Sequence, residues 1–208
     1  MEIKSQERVE ARQQEILAAC AALYDRKAFR DITLKEISEA TSMTRSSIYN
    51  YFQTKEEIFL ALLAEEYDEW AAAIRALAEG DTSGGREALA SGIAQTLAPR
   101  NRMLKLLSLD LSALERNSRL DCLVSFKKSY KDTLDALDDA LRAFVPQMDA
   151  DARQGFLYAF GPFLYGIYPY TNVDAQQREA MERAGLSYHY YTIAELTRQA
   201  VSRMLGTL

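Results

Sequence analysis

Histidine is almost missing from this chain of 208 residues: His189 is the only one. That scarcity removes most imidazole-based catalysis and most His-rich metal ligation. Cysteine is scarce too. Cys20 and Cys122 lie far apart with no CxxC partner, so neither a disulfide framework nor a Cys-based zinc site is expected. There is no Gly-rich phosphate loop, no GxSxG and no HExxH, and the Asp138-Asp139 and Asp149/Asp151 pairs read as solvated helix and cap residues. No catalytic residue, metal or cofactor is therefore expected, and the chain is not read as an enzyme. No apolar run approaches the roughly 20 residues that cross a bilayer, and the first residues lack a signal-peptide core. A cytoplasmic protein without a membrane partner is the expectation.

An overall basic charge is missing as well. The net charge is −5, which by itself speaks against a nucleic-acid partner. The distribution matters more than the sum. Residues 1–60 carry nine Lys/Arg and ten Asp/Glu, yet the window 41–55 holds Arg45 and Lys55 and no acid. A small DNA-facing surface within an acidic chain needs such a window.

What is present is helix-forming sequence. Ala, Leu, Glu, Arg, Lys and Gln are abundant, prolines number four, and no period-two alternation persists. A first helix is expected over Ser5–Lys27, with Ile16, Cys20 and Leu23 on one face. Thr33-Leu34-Lys35-Glu36 and Thr54-Lys55-Glu56-Glu57 are capping boxes, each opening a helix. Between them Thr44 caps a short helix running to about Asn50. The pattern is helix, tight turn, helix, short link, helix, with Leu34, Ile37, Ala40, Met43, Ile48, Phe52 and Ile58 as its small core.

The residues left over on the short helix suit a major groove. Thr44, Arg45, Ser46, Ser47 and Tyr49 are small or donor-rich. Arg45 could form a bidentate contact to guanine, and Ser46 or Ser47 could touch a base edge or phosphate. Thr33, Tyr49, Tyr51 and Lys55 would grip phosphates, which positions the helix without reading sequence. Thr33 and Thr54 are equally readable as caps alone; packing for Tyr49 and Tyr51, and a surface charge for Arg45, are the lesser alternatives.

The stretch from Ile32 through Lys55 closely resembles the DNA-binding domain of the TetR (tetracycline repressor) family. The shared features are the Thr-initiated helix, the tight turn, the Ser/Thr-initiated recognition helix, the Tyr49-x-Tyr51-Phe52 cluster and Lys55 at the next helix. The match covers roughly Arg12 to Leu62. One departure concerns the turn, where the family has Ala-Gly-hydrophobic and this chain has Thr41-Ser42-Met43. Ser42 must then accept backbone strain or a shifted turn.

The resemblance implies an all-α fold with a three-helix DNA-binding domain (1–60) and a larger helical ligand-binding and dimerisation domain (61–208). In that second region helices are expected at about Arg86–Leu97, Arg100–Glu115, Arg119–Phe144, Ala150–Tyr168, Ala175–Ala184 and Tyr188–Leu205. Pro99, Pro146 and Pro169 fall between them, and Pro162 kinks or breaks its own. An aromatic-lined cavity for a hydrophobic or aromatic effector is expected from Met103, Leu107, Leu111, Phe126, Tyr130, Phe160, Tyr165 and Tyr168. At any single one of these positions ordinary core packing is the more natural role. Family architecture places the homodimer contact on parts of Ala152–Tyr168 and Tyr188–Leu205, with Tyr191, Ala194, Glu195, Arg198 and Val201 as candidates. His189 reads as a packed or interface residue. The expected partners are an operator in double-stranded DNA, a small-molecule effector of unknown identity and a second copy. The expected function is a dimeric, sequence-specific regulator, a repressor released by its effector. The alternative is a helical protein-interaction module without specific DNA binding.

Overall fold

The computed structural model describes residues 2–206, with side chains from residue 6 onward. Residues 1, 207 and 208, which end the two spans read from sequence, lie outside the described residues. Among the described residues all regular structure is helical. The chain divides into two compact units. The first comprises the chain up to Glu65 together with Asp110–Ser129, and the second comprises Glu66–Leu109 with the chain from Tyr130 onward. A linear reading placed one boundary at residue 60; the first unit also takes in a segment that returns much later in the chain.

The first unit begins with α1 (Glu2–Tyr24), α2 (Leu34–Glu39), α3 (Arg45–Ile48) and the start of α4 (Lys55–Ala78). A single 3-10 turn, Phe29–Asp31, precedes α2. Ile16, Cys20 and Tyr24 repeat every four residues on α1 and are at most 1% exposed, which fits a stripe facing the core. They meet Ile37, Ile48, Phe52, Ile58 and Phe59 in the core. Tyr24 and Phe29 both stand edge-on to the Phe59 ring, at 5.1 and 4.7 Å, a favourable arrangement of ring quadrupoles. Ala40 is exposed at the end of α2 and Leu34 half-buried, so neither joins this core as the sequence pattern had suggested. The unit is completed by α7 (Leu111–Arg116) and the first part of α8 (Leu120–Phe144).

The second unit contains the rest of α4 and α8, with α5 (Gly85–Leu97), α6 (Asn101–Leu107), α9 (Ala150–Thr171), α10 (Ala175–Arg183) and α11 (Ile193–Gly206). Here α11 packs on α5 and α9, and α6 packs on α9. Trp70, Ile93, Leu97, Met103, Phe156, Phe160 and Val201 are at most 1% exposed and form the core. The turn between α8 and α9 is locked by Arg153, which donates to Asp138 Oδ1 and to the Met148 carbonyl, both at 2.7 Å.

Three of the helix limits that differ from the sequence reading have a clear local reason. The helix expected over Arg100–Glu115 is two, because Asp110 caps α7 by accepting the Ala113 amide at 3.1 Å. The helix expected from Tyr188 begins at Ile193, where Thr192 and Glu195 form a Thr-x-x-Glu box. Pro169 lies inside α9, as does Pro162. Both prolines are exposed, so the Tyr158 and Tyr165 carbonyls that they leave without a helical donor can turn to water.

Candidate nucleic-acid interface and effector cavity

Helix α3 is four residues long and is anchored by one fully buried side chain, Ile48. Thr44 caps it, accepting the Ser47 amide at 3.2 Å and meeting the Ser46 and Ser47 hydroxyls at 2.9 Å. With Ile48 turned inward, Thr44, Arg45, Ser46 and Tyr49 are exposed and Ser47 half-buried. Arg45 lies along Tyr49, with Nη2 3.1 Å from the phenol oxygen and the guanidinium 5.8 Å from the ring centre. Of the residues from Thr44 to Tyr49 only Ile48 is turned inward, and no acid lies among the five expected to approach DNA.

The remaining three candidates are engaged elsewhere. The Thr33 amide and hydroxyl both donate to Glu36 Oε2, at 3.0 and 3.1 Å, completing the capping box. A phosphate at Thr33 would have to displace that carboxylate, which Lys27 also holds, first among the causes that lower its pKa. Lys55 donates to the Phe29 and Ile32 carbonyls at 2.8 and 2.9 Å and stands 4.0 Å above the Phe29 ring. One of its three N–H groups remains for a phosphate. Tyr51 is half-buried and lines a groove of about 450 Å³ between α1, α4 and the start of α8.

The turn into α3 carries no left-handed strain. Among the described residues only glycines have positive φ, so the Thr41-Ser42-Met43 turn is shifted rather than forced. It is held from α1: Arg12 donates to Ser42 Oγ at 2.7 Å, and the Ser42 amide donates to Glu15 Oε1 at 2.5 Å. The Ser42 amide is the foremost cause holding the Glu15 carboxyl below its usual range. Sequence reading passed over both α1 residues.

A second missed feature sits at the exit from α3. Glu57 has a fully buried carboxylate with four donors. Oε1 accepts the Arg119 amide at 2.9 Å and Nε at 2.8 Å; Oε2 accepts the Gln53 amide at 2.7 Å and Arg119 Nη2 at 2.9 Å. Burial alone would raise this carboxyl, but the Arg119 and Gln53 donors overcome it and hold the group below its usual range. Thr54 accepts the Glu57 amide, so only half of the second capping box forms: the Glu57 carboxylate is taken by other donors.

The effector candidates scatter. Phe126 lines the groove of the first unit, to which Leu111 also belongs. In the second unit Tyr130, Phe160 and Tyr165 come together with Tyr67, Trp70, Thr133, Leu134, Leu137, Leu157 and Leu164 around an internal space of about 20 Å³. Beside it Tyr130, Leu134, Gln154, Leu157, Tyr158, Gly161, Pro162 and Tyr165 line an open groove of about 470 Å³. Met103, Leu107 and Tyr168 line neither; the first two are core residues. The internal space suits about one water, whereas drug-sized ligands take 300–1,000 Å³. Burial, with Tyr165 and Tyr130 close by, pushes the Tyr67 phenol well above its ordinary pKa, so it stays neutral. No group of three or more His, Cys, Asp or Glu side chains suited to a metal occurs among the described residues, and no described helix is long and apolar enough to cross a membrane.

Of the dimer candidates, Val201 is fully buried in its own unit and is a core residue. Ala194 is half-buried, while Tyr191, Glu195 and Arg198 are exposed. Glu195 caps α11 with Thr192, and His189 stands exposed, 4.3 Å from the Tyr191 ring. Sequence reading missed a longer apolar stripe on α9: Tyr158 is 75% exposed and Tyr170 58%, with Pro162, Tyr165 and Pro169 between them.

Residues 16–62 match the family described as bacterial regulatory proteins, tetR family, and residues 64–206 match the tetracyclin repressor-like C-terminal domain. The uncharacterized HTH-type transcriptional regulator YfiR of Bacillus subtilis (strain 168) is 34% identical over 65 residues, 31% of this chain and 32% of that protein. The matched stretch therefore spans about a third of that relative. Among solved structures, the TetR family regulator PfmR of Thermus thermophilus superposes with a TM-score of 0.60 at 16% identity, covering 92% of this chain and 97% of its own. The regulator FadR of Bacillus subtilis, solved in complex with stearoyl-CoA, gives 0.59 at 17% identity, covering 94% and 98%.

Proposed function

The chain belongs to the TetR family of transcriptional regulators, and from that premise we propose that it is a dimeric repressor whose two α3 helices read an operator until an uncharged, largely apolar effector releases it. The observation that carries the DNA-reading part is the acid-free surface of α3, where Thr44, Arg45, Ser46, Ser47 and Tyr49 stand outward around the single buried anchor Ile48. One four-residue helix reads too few bases for useful affinity, so two half-sites on a twofold partner are needed. The exposed stripe Tyr158–Pro162–Tyr165 on α9, with Tyr191, Glu195 and Arg198 near α11, supports a helical dimer contact, in which a partner seated on α9 would close over the groove that these three α9 residues also line. Effector chemistry follows from the groove of the second unit, whose lining is aromatic, aliphatic and amide without one charge. The FadR relative is solved with stearoyl-CoA, but this lining offers no cation for a phosphate-bearing head group. Release would follow from a state with better effector contacts and poorer register on DNA.

The test is a titration of DNA flanking the protein's own gene, followed by fluorescence anisotropy at several salt concentrations. Steep salt dependence with preference over a scrambled duplex is expected. Arg45→Ala is expected to cost about 1–3 kcal/mol and to relax preference at one base position. Unchanged affinity and preference in that variant would remove Arg45 from the reading face. Equal binding to every duplex would remove sequence-specific recognition altogether.

A further inference from the structure

A helix of four residues cannot hold its own pose, since helices this short are unstable without tertiary support. Arg12 and Glu15 of α1 fix the entry to α3 at Ser42. Its exit, Tyr51 to Glu57, is gripped by a segment more than sixty residues later in the chain. Arg119 Nη2 donates to the Tyr51 carbonyl at 3.0 Å while its Nε and Nη2 fork onto Glu57. The Thr54 hydroxyl donates to the Asn117 carbonyl at 3.0 Å. Glu57 in turn binds the Gln53 amide, so its buried carboxylate is satisfied only when the link after α3 and the start of α8 are both in place.

We propose that Arg119 is a positioning residue for DNA recognition, setting the angle at which α3 meets the major groove through Glu57 and the Tyr51 carbonyl. It does not itself touch DNA in this scheme. The planar fork suits arginine to this place: Nε and Nη2 meet the two Glu57 oxygens side by side while Nη2 also reaches the Tyr51 carbonyl, a fixed geometry that the point charge of lysine does not reproduce. This inference rests on the reading of α3 as the DNA-contacting helix.

The test compares wild type, Arg119→Lys and the double variant Glu57→Met/Arg119→Met as full-length proteins. Replacing Arg119 together with the buried Glu57 leaves no unpaired carboxylate in the core, which separates positioning from folding, and Arg119→Lys keeps the charge beside Glu57 if the double variant fails to fold. A duplex selected by wild type from a random pool serves as the specific probe and a scrambled duplex as the non-specific one. In both variants specific binding should fall by about tenfold while non-specific binding stays unchanged. Hydrogen exchange at the Gln53 amide should accelerate, with α5 and α11 amides unaffected. A wild-type ratio of specific to non-specific affinity in Arg119→Lys overturns the role of Arg119 while leaving DNA reading intact. If wild type selects no consensus, DNA reading fails, and the positioning role with it.

Discussion

At Lys55 two roles compete for one ammonium group. The family pattern offers it to a phosphate, whereas the fold aims two of its N–H groups at the Phe29 and Ile32 carbonyls and its charge at the Phe29 ring. Removing a partner from a part-buried carbonyl costs about 1–3 kcal/mol. Lys55→Met should therefore lower unfolding stability by that order in urea titration, and should reduce the salt slope of DNA binding by less than about one unit. A full unit of slope with unchanged stability would return Lys55 to the phosphate role. Thr33 shows the same competition more strongly, since both of its donors are spent on Glu36. Sequence spacing identified these residues correctly as partners of helix starts. It gave no means of ranking a backbone carbonyl against a phosphate, because that ranking depends on where Phe29 and Ile32 are placed by the core.

Among the elements, α9 departs furthest from its local signals. It carries Pro162 and Pro169 within one continuous helix, although interior proline costs about 3 kcal/mol. Leu164 and Ile167, 6% and 2% exposed, hold the helix against its neighbours, and the two prolines lie on its solvent side. Pro162→Ala restores a donor to the Tyr158 carbonyl and should raise stability by about 1–3 kcal/mol in a thermal melt. Because Pro162 lines the open groove, effector binding should weaken in the same variant. The single tryptophan, Trp70, lines the adjoining internal space and reports that binding by its fluorescence. Improved stability with an unaltered effector response would mean that Pro162 does not shape the site. α3 was easier to read: Thr44 and Ser47 interact within three residues of sequence, so its cap is local chemistry.

For the whole molecule the open question is assembly. The second unit exposes Tyr158, Tyr165 and Tyr170 along α9, and exposed apolar patches of this kind mark contact surfaces. Tyr158→Glu should shift the proposed dimer to monomer in sedimentation velocity and lower operator affinity toward the non-specific level. A dimer of undiminished affinity would move the contact off this stripe. The sequence reading placed part of Ala152–Tyr168 at this contact on family grounds. It chose Val201 as well, which turns inward because α11 packs on α5 and α9. Periodicity finds the apolar face of a helix but does not say whether the neighbour is the same chain or another.

By itself the sequence determined the all-helical class, the Thr33 box, the Thr44 cap and the acid-free segment from Thr44 to Tyr49. All of these are interactions within three or four residues, the range over which helix geometry converts spacing into contact. Tertiary structure alone decided how α3 is held: Arg12 and Glu15 at its entry, Arg119 and Glu57 at its exit. It also decided which aromatic residues gather around the groove. The physical reason is loop closure: a pair such as Glu57 and Arg119 has no sequence signature, because only the folded chain makes them neighbours.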